Sequence, residues 1–345
     1  MAPWYLSCCF ALLLAYLLAG CVVSPRRPVP GATPTPTPGS GTGKLYVSNQ
    51  ASNAILRFDN ATTTSNNVAP GATIAGGNTG IASPQYLFVD QSADRLFVAN
   101  PGTSSILIFD AVSTKTGANN IAPTRTISGL ATLLGSPSDL ALDKGRDMLY
   151  VADSLNVLVF NAASNSTTTG NVSAARNIPV GFIPSAIFLD ATNDRLYVAD
   201  TVGSMVHVYD NASTLNSLTL ITANRTISGG MASPAGLQID SAGRLIVSNS
   251  ANASITIYTG AATANGTVTP VATISGTSTG LGSPNQIALD ASGTGTLYIA
   301  DPGTAEIPIY SNLSTANNNL APTRTINGAS TTLGQNVGVA LDTTH

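Results

Sequence analysis

Short apolar runs recur along most of the chain, each closed by Asn, Asp, Gly, Pro or Ser. One run is nearly constant: Leu45-Tyr46-Val47-Ser48-Asn49, Leu96-Phe97-Val98-Ala99-Asn100, Leu149-Tyr150-Val151-Ala152-Asp153, Leu196-Tyr197-Val198-Ala199-Asp200, Leu245-Ile246-Val247-Ser248-Asn249 and Leu297-Tyr298-Ile299-Ala300-Asp301. Successive copies start 51, 53, 47, 49 and 52 residues apart. A period near fifty marks a propeller or solenoid whose loops absorb the variation.

Each unit holds four such runs. In the second they are Tyr86 to Asp90, Leu96 to Asn100, Ile106 to Asp110 and Pro123 to Ile127, with turn residues between them. Runs this short, rich in β-branched and aromatic residues, are strands, and the pattern predicts an antiparallel four-stranded meander. Five units carry a further motif before the constant run: Pro84 to Asp90, Pro137 to Asp143, Pro184 to Asp190, Pro234 to Asp240 and Pro284 to Asp290. The first unit lacks it, and the missing piece stands far along the chain as Val337 to Asp342. The expected architecture is all-β: a six-bladed propeller closed by a C-terminal strand that completes the first blade. Closure of this kind leaves no open sheet edge at the seam.

These motifs resemble NHL-repeat propellers and, more loosely, the YVTN-type and lactonase-like propellers of bacterial surface and periplasmic proteins. The resemblance spans Lys44 to Asp342 and implies the fold alone, because propellers host enzymes, binding modules and scaffolds alike.

The first forty-three residues have a different character. Leu6 to Gly20 is an apolar run too short to cross a bilayer and of the length of a signal-peptide core. It ends in Leu18-Ala19-Gly20-Cys21, which resembles a bacterial lipobox, although Met1 to Tyr5 carries no Lys or Arg. The resemblance implies a signal peptide over 1–20 and a diacylglyceryl group on Cys21; the alternative is a plain secretory signal cut nearby. Val22 and Val23 stand where Asp would retain an enteric lipoprotein in the inner membrane, so the resemblance implies an exported lipoprotein of the outer membrane. Its propeller would face the periplasm or the cell surface. Pro25 to Gly43 alternates Thr and Pro, a polyproline II spacer reaching roughly 60 Å. The expected organisation is therefore 1–20 signal, 21–43 lipidated tether and 44–345 propeller.

Composition narrows the chemistry. Only 9% of residues are charged against 43% hydrophobic, and the net charge is -3. This balance excludes disorder and long helices, and the lack of basic blocks in the body argues against nucleic acid. Cys8 and Cys9 lie in the signal, so a mature chain keeps Cys21 and no cysteine pair. Histidine occurs only at His207 and His345. His207 aligns with Leu56, Leu107, Leu158, Thr256 and Pro308, a variable strand position, and reads as structural; His345 reads as frayed. No Cys/His zinc set, G-x-S-x-G elbow or phosphate loop is present.

The most suggestive residues end the constant strands: Asn49, Asn100, Asp153, Asp200, Asn249 and Asp301. In a closed propeller they would ring one mouth of the channel. Such a ring suits Ca2+, the one candidate cofactor, because it binds six to eight oxygens. Resemblance to six-bladed lactonase-type propellers implies a central cation that polarises substrate. Those sites, however, use a Glu near the start of the chain, whereas Glu306 is the single glutamate here. The other reading is that each side chain caps its own turn. Connections between blades are about ten residues long after Ile74, Ile127, Ile274 and Ile326 but about six and seven after Ile178 and Ile227. One mouth is thus lower across the third to fifth blades, and Phe182 and Met231 there read either as partner contacts or as inter-blade packing.

Two functions follow as expectations. One is a monomeric, membrane-anchored, non-catalytic propeller that binds a protein, peptide or glycan through loops at one mouth. The other is a Ca2+-dependent lactonase- or esterase-like hydrolase or lyase using the Asp/Asn ring.

Overall fold

The constant strands are apolar at every inward position because both of their faces are covered. In Lys44–Asn49, Leu45 and Val47 pack with Tyr298, Ala300 and Ile309 of one neighbour, while Tyr46 packs with Leu96, Val98 and Phe109 of the other. The same alternation around the ring yields six apolar clusters, each lying between two blades. Such strands read as unbroken apolar runs, as sheets buried on both faces do. The computed structural model describes residues 42–290, 295–313 and 315–345. Cys21 and nearly all of the tether lie outside these residues.

Six sheets of four antiparallel blade strands form the propeller. Blade 2 is built from Leu87–Asp90, Arg95–Asn100, Ser105–Asp110 and Arg125–Ser128, counted from the innermost strand outward. Blade 1 takes its innermost strand, Asn336–Asp342, from the far end of the sequence. That strand pairs with Lys44–Asn49, Leu45 opposite Leu341 and Val47 opposite Val339. The ring is therefore six-bladed, all-β and closed by the C-terminal strand.

The two faces of the ring differ. On the upper face lie the connections from each outermost strand to the next blade and the turns between second and third strands. On the lower face lie the hairpins between first and second strands and the loops between third and fourth. Lys44 begins blade 1 on the lower face, opposite Asp342 and Asp59.

Each outermost strand is also covered along its edge. A loop of the following blade runs parallel to it, as Gly117–Asn119 does against Ala72–Ala75 and Gly266–Thr267 against Arg225–Ser228. Isolated bridges do the same at Asn66–Ile326, Ile127–Gly170 and Ile274–Asn318. Arginines near these edges turn into the junctions rather than toward solvent. Arg125 Nη1 donates to Ala163 O and Asn165 O at 2.8 and 2.6 Å, and Arg324 Nη1 to Ala61 O and Thr64 O at 3.0 and 2.8 Å. The edge is thus paired, which removes the hazard of an open strand.

Candidate functional site

The six strand-end residues are buried beneath the upper face, and each is committed to its own surroundings. Asp153 accepts from Gly135 N and Ser136 N, both at 2.7 Å. Asp301 accepts from Gly282 N, Ser283 N and Gly303 N at 2.7, 2.8 and 3.0 Å. Asn100 Oδ1 accepts Ala82 N at 2.7 Å, Asn249 Oδ1 accepts Ala232 N at 3.1 Å, and Asn49 Nδ2 donates to Thr332 O at 2.7 Å. These partners lie on the connections that lead into the same blades. None of the six side chains lines the central cavity. Burial raises Asp301 above the usual carboxylate range, and the amides bonded to it pull it back.

Asp200 departs from the set because its connection is short and offers no amide in reach. It accepts Gly203 N at 2.8 Å, and its Oδ2 lies 3.5 Å from His207 Nε2. The His207 ring stacks on Phe182, centroids 4.3 Å apart at 21°. Burial lowers the proton affinity of His207, and Asp200 opposes that shift. Phe182 packs against the cluster between blades 3 and 4, and Met231 against that between blades 4 and 5. Both are half-buried.

The channel is built from a column that sequence reasoning passed over, the third position of the inner-strand motif: Tyr86, Asp139, Ala186, Gly236, Gln286 and Gly338. A register shift just before this position in several inner strands re-aims the following side chain. Gln286 Oε1 accepts Leu87 N and Val339 N at 3.0 and 2.9 Å, and its Nε2 donates to Leu87 O at 2.9 Å and Asp139 Oδ1 at 3.3 Å. Asp139 Oδ2 accepts Ile187 N at 2.8 Å. These side chains thus tie together the inner strands of blades 1, 2, 3, 4 and 6, satisfying inward-facing amides left by the ring geometry. Tyr86 donates to Ala235 O and also meets Asn285 Oδ1. Burial pushes the Asp139 carboxyl up to about 7, against the Ile187 and Leu140 amides that hold it down.

The glycines of the column mark close approach. A Cβ on Gly236 would lie 2.6 Å from Asn285 O, and one on Gly338 2.6 Å from Gln85 O. Below this polar plug a cavity of about 220 Å³ runs to Gln91 and Leu341, lined mainly by Leu, Ile and Val with Phe88 and Phe188. The signal was present in the sequence: three large polar residues in a column otherwise Ala and Gly.

The upper face carries a second feature. Apart from Arg26 and Arg27, which lie outside the described residues, every Lys and Arg belongs to the lower half of the ring. The upper connections and turns hold Glu306 as their one charge besides the buried strand-end aspartates. Exposed aliphatic side chains gather there on blades 3 and 4: Leu130, Leu133, Leu155, Ile183 and Val202. Aligned positions elsewhere hold small or polar residues, such as Gly77 and Thr277 for Leu130, Gly102 and Ala251 for Val202, and serine for Ile183. Leu155 O accepts Val180 N and Gly181 N at 3.0 and 3.3 Å, which joins its turn to the connection that carries Ile183. Leu218 and Leu220 continue the apolar surface down the flank of blade 4.

Two solved structures share the architecture. One is a protein of unknown function from Desulfotomaculum acetoxidans DSM 771, 13% identical over 82% of this chain and 79% of that one, TM-score 0.53. The other is a chain of a nidogen/laminin complex, 14% identical over 88% of this chain and all of that one, TM-score 0.58. At such identities the likeness concerns the fold alone. No curated protein matches the sequence. Residues 42–328 match the family described as "Lactonase, 7-bladed beta-propeller". The match covers most of the chain and nearly the whole propeller, so the chain belongs to this lactonase-type β-propeller family, with six blades where the family's description gives seven.

Proposed function

We propose that the chain is a lipid-anchored, non-catalytic binding propeller that docks a protein or peptide on the upper face of blades 3 and 4. The observation that carries this reading is the exposed apolar group Leu130, Leu133, Leu155, Ile183 and Val202 on a face without Lys or Arg among the described residues. Contiguous exposed apolar surface on a soluble body marks an interaction site. The group is aliphatic, with no exposed aromatic platform, which suits apolar side chains of a polypeptide better than sugar rings. The chain enters blade 1 from the lower face. An acylated Cys21 on the outer membrane would tether the propeller in the periplasm or at the cell surface.

Site-specific photo-crosslinking in cells tests this. A crosslinker at Ile183 is expected to capture one dominant partner, while one at Thr277 on the opposite rim captures none. Combining Leu155→Asp and Val202→Asp removes the product without lowering the melting temperature. Equal capture from both rims overturns the reading.

The family description favours a second reading, a Ca2+-dependent lactonase- or esterase-like hydrolase. The Asp/Asn ring proposed for that role already spends most of its oxygens on backbone amides. Lactone or ester hydrolysis abolished by chelator, together with one Ca2+ per chain, would replace the docking reading.

A further inference from the structure

Each innermost strand ends in Asp on the lower face, opposite the hairpin of the next blade. Between blades 2 and 3, Lys144 Nζ reaches Asp90 at 2.7 Å. Between blades 3 and 4, Arg146 Nη1 reaches Asp143 at 2.7 Å, and Asp194 of the facing hairpin acts on the same guanidinium. A cation therefore fills the slot at both junctions. The junction of blades 1 and 2 differs. Asp342 ends the closing strand, Asp94 lies on the facing hairpin, and Gln91 stands where blade 3 has Lys144. Neither carboxylate pairs with a Lys or Arg; the ion pair formed there is that of His345 Nδ1 with Asp342 Oδ2, at 2.8 Å. Ligand atoms of Asp94, Asp342 and His345 all lie within 4.8 Å of one another.

A second observation points into the same slot. The Tyr46 side chain is 1% exposed, and its hydroxyl has no hydrogen-bond partner. Tyr46 stands opposite Ala340 of the closing strand, two residues before Asp342 and so on the same face. After burial, Asp342 and Asp94 are the largest influences that oppose its ionisation, with Arg57 acting the other way. Tyr150 is its counterpart at the junction of blades 3 and 4, its hydroxyl equally partnerless, with Arg176 and then Arg146 the cations that act on it. The slot at blades 1 and 2 thus holds two carboxylates and one imidazole. Asp94 is oriented by Ser113 N and Oγ at 2.8 Å and Asp342 Oδ1 by Thr344 N and Oγ1 at 2.8 Å, so that a bound ion would use their remaining lone pairs.

We propose that Asp94, Asp342 and His345 form a Zn2+ site that clamps the closing strand of blade 1 to blade 2. Imidazole with carboxylate oxygens selects zinc over calcium or magnesium, which favour oxygen alone. Three protein ligands leave a fourth position for water. Zinc binds the neutral imidazole, so loading releases any proton held by His345. The clamp joins the two ends of the propeller, where ring closure is decided.

Titration of chelator-treated full-length protein with ZnCl2 tests the site. One Zn2+ per chain is expected, with a melting temperature that climbs with free zinc. Asp94→Asn and His345→Ala should each weaken binding at least tenfold. Gln91→Lys, which restores the cation found between blades 2 and 3, should abolish zinc binding. Because Gln91 also accepts from Thr343 N and Oγ1, its melting temperature is compared with and without zinc in the same variant, and no zinc-dependent rise is expected. Absence of stoichiometric binding overturns the proposal, as does affinity that survives combined Asp94→Asn and Asp342→Asn. Stabilisation by His345 that ignores zinc also overturns it, because the imidazole would then act only through its bond to Asp342. None of these results bears on docking at the upper face.

Discussion

The same junction is built in two ways on opposite sides of the ring. Around the seam it is polar. Asn67, Asn120, Asn171 and Asn319 each reach from one blade to cap the connection of the blade before, accepting Ser330 N, Asn78 N, Ala131 N and Ser278 N at 2.6 to 2.9 Å. Arg57, Arg125 and Arg324 add donors to backbone carbonyls across the gap. Between blades 3 and 4 the connection is short and the Asn cap on it is gone, although Arg176 Nη1 still donates to Ser213 O across the gap. Leu220 lies instead over Gly181, where a Cβ would come within 2.6 Å of it, and Phe182 stacks on His207. At the following junction Arg225 turns back to its own Asp210 at 2.7 Å. The Asn caps stand at four junctions and are missing on both sides of blade 4. Ile183 and Val202 of the apolar surface lie where the caps are missing, while Leu130 and Leu133 lie on the connection that Asn171 caps.

The comparison predicts which changes the fold tolerates. Val339→Asp in the closing strand is expected to abolish cooperative unfolding or to cost more than about 4 kcal/mol, because it buries an unpaired charge in the cluster between blades 6 and 1. Leu130→Asp, on a side chain 95% exposed, should leave the urea midpoint unchanged. Equal losses would erase the distinction between the two sides.

Stability against pH tests the channel plug. Asp139 is held near 7 in the fold, whereas an unfolded Asp ionises near ~3.9. Between these values the folded state binds the additional proton, so this group makes stability fall as pH rises from about 4 to about 7, by at most about 1.4 kcal/mol per pH unit. His207 works in the opposite sense: its lowered proton affinity costs stability as pH falls through the histidine range. The difference between the native chain and Asp139→Asn isolates the Asp139 contribution. A difference that is flat over pH 4 to 7 would show Asp139 ionised in the fold, with the amide hydrogen bonds outweighing burial.

A smaller effect separates the arginines. Arg125→Met strands the buried Ala163 carbonyl and loses the partly exposed bond to Asn165 O, and is expected to cost about 2 kcal/mol in urea unfolding. Arg225→Met breaks a partly exposed pair with Asp210 and should cost less than about 1 kcal/mol. Reversal of this order would mean that the junctions do not depend on the cross-blade donors.

Blade number, strand identity and closure were legible in the sequence because each rests on a local pattern repeated six times. The period of fifty fixed the blades, and the displaced Val337 to Asp342 motif revealed which strand closes the ring. Side-chain roles were less legible where a partner comes from another repeat. Nothing around Arg125 in the sequence marks the carbonyls of Ala163 and Asn165, about forty residues on, that it meets in the fold. The terminal Asn and Asp residues of the constant strands were visible as a set, but their direction was not. Only the fold shows that Asp153 faces its own loop, while Asp139, singular in its column, faces the axis. The apolar surface fell between these cases. Its members occupy different repeat positions, so no single column announced it.

The smallest stability change carries the sharpest test of the docking surface. Leu133 adopts φ 62, the left-handed conformation that aligned loops give to Gly80 at φ 67, Gly280 at φ 68 and Thr332 at φ 55. A leucine there bears backbone strain on the order of 1 kcal/mol, and its side chain is 61% exposed, so packing returns little of that cost. Leu133→Gly relieves the strain but loosens the unfolded chain, which offsets most of the gain. The expected net is a change within about 0.5 kcal/mol, on the stabilising side. If the residue is kept for a partner, the same substitution weakens capture at Ile183 several-fold while the urea midpoint holds or rises. If it serves the fold, stability drops and capture is unaffected.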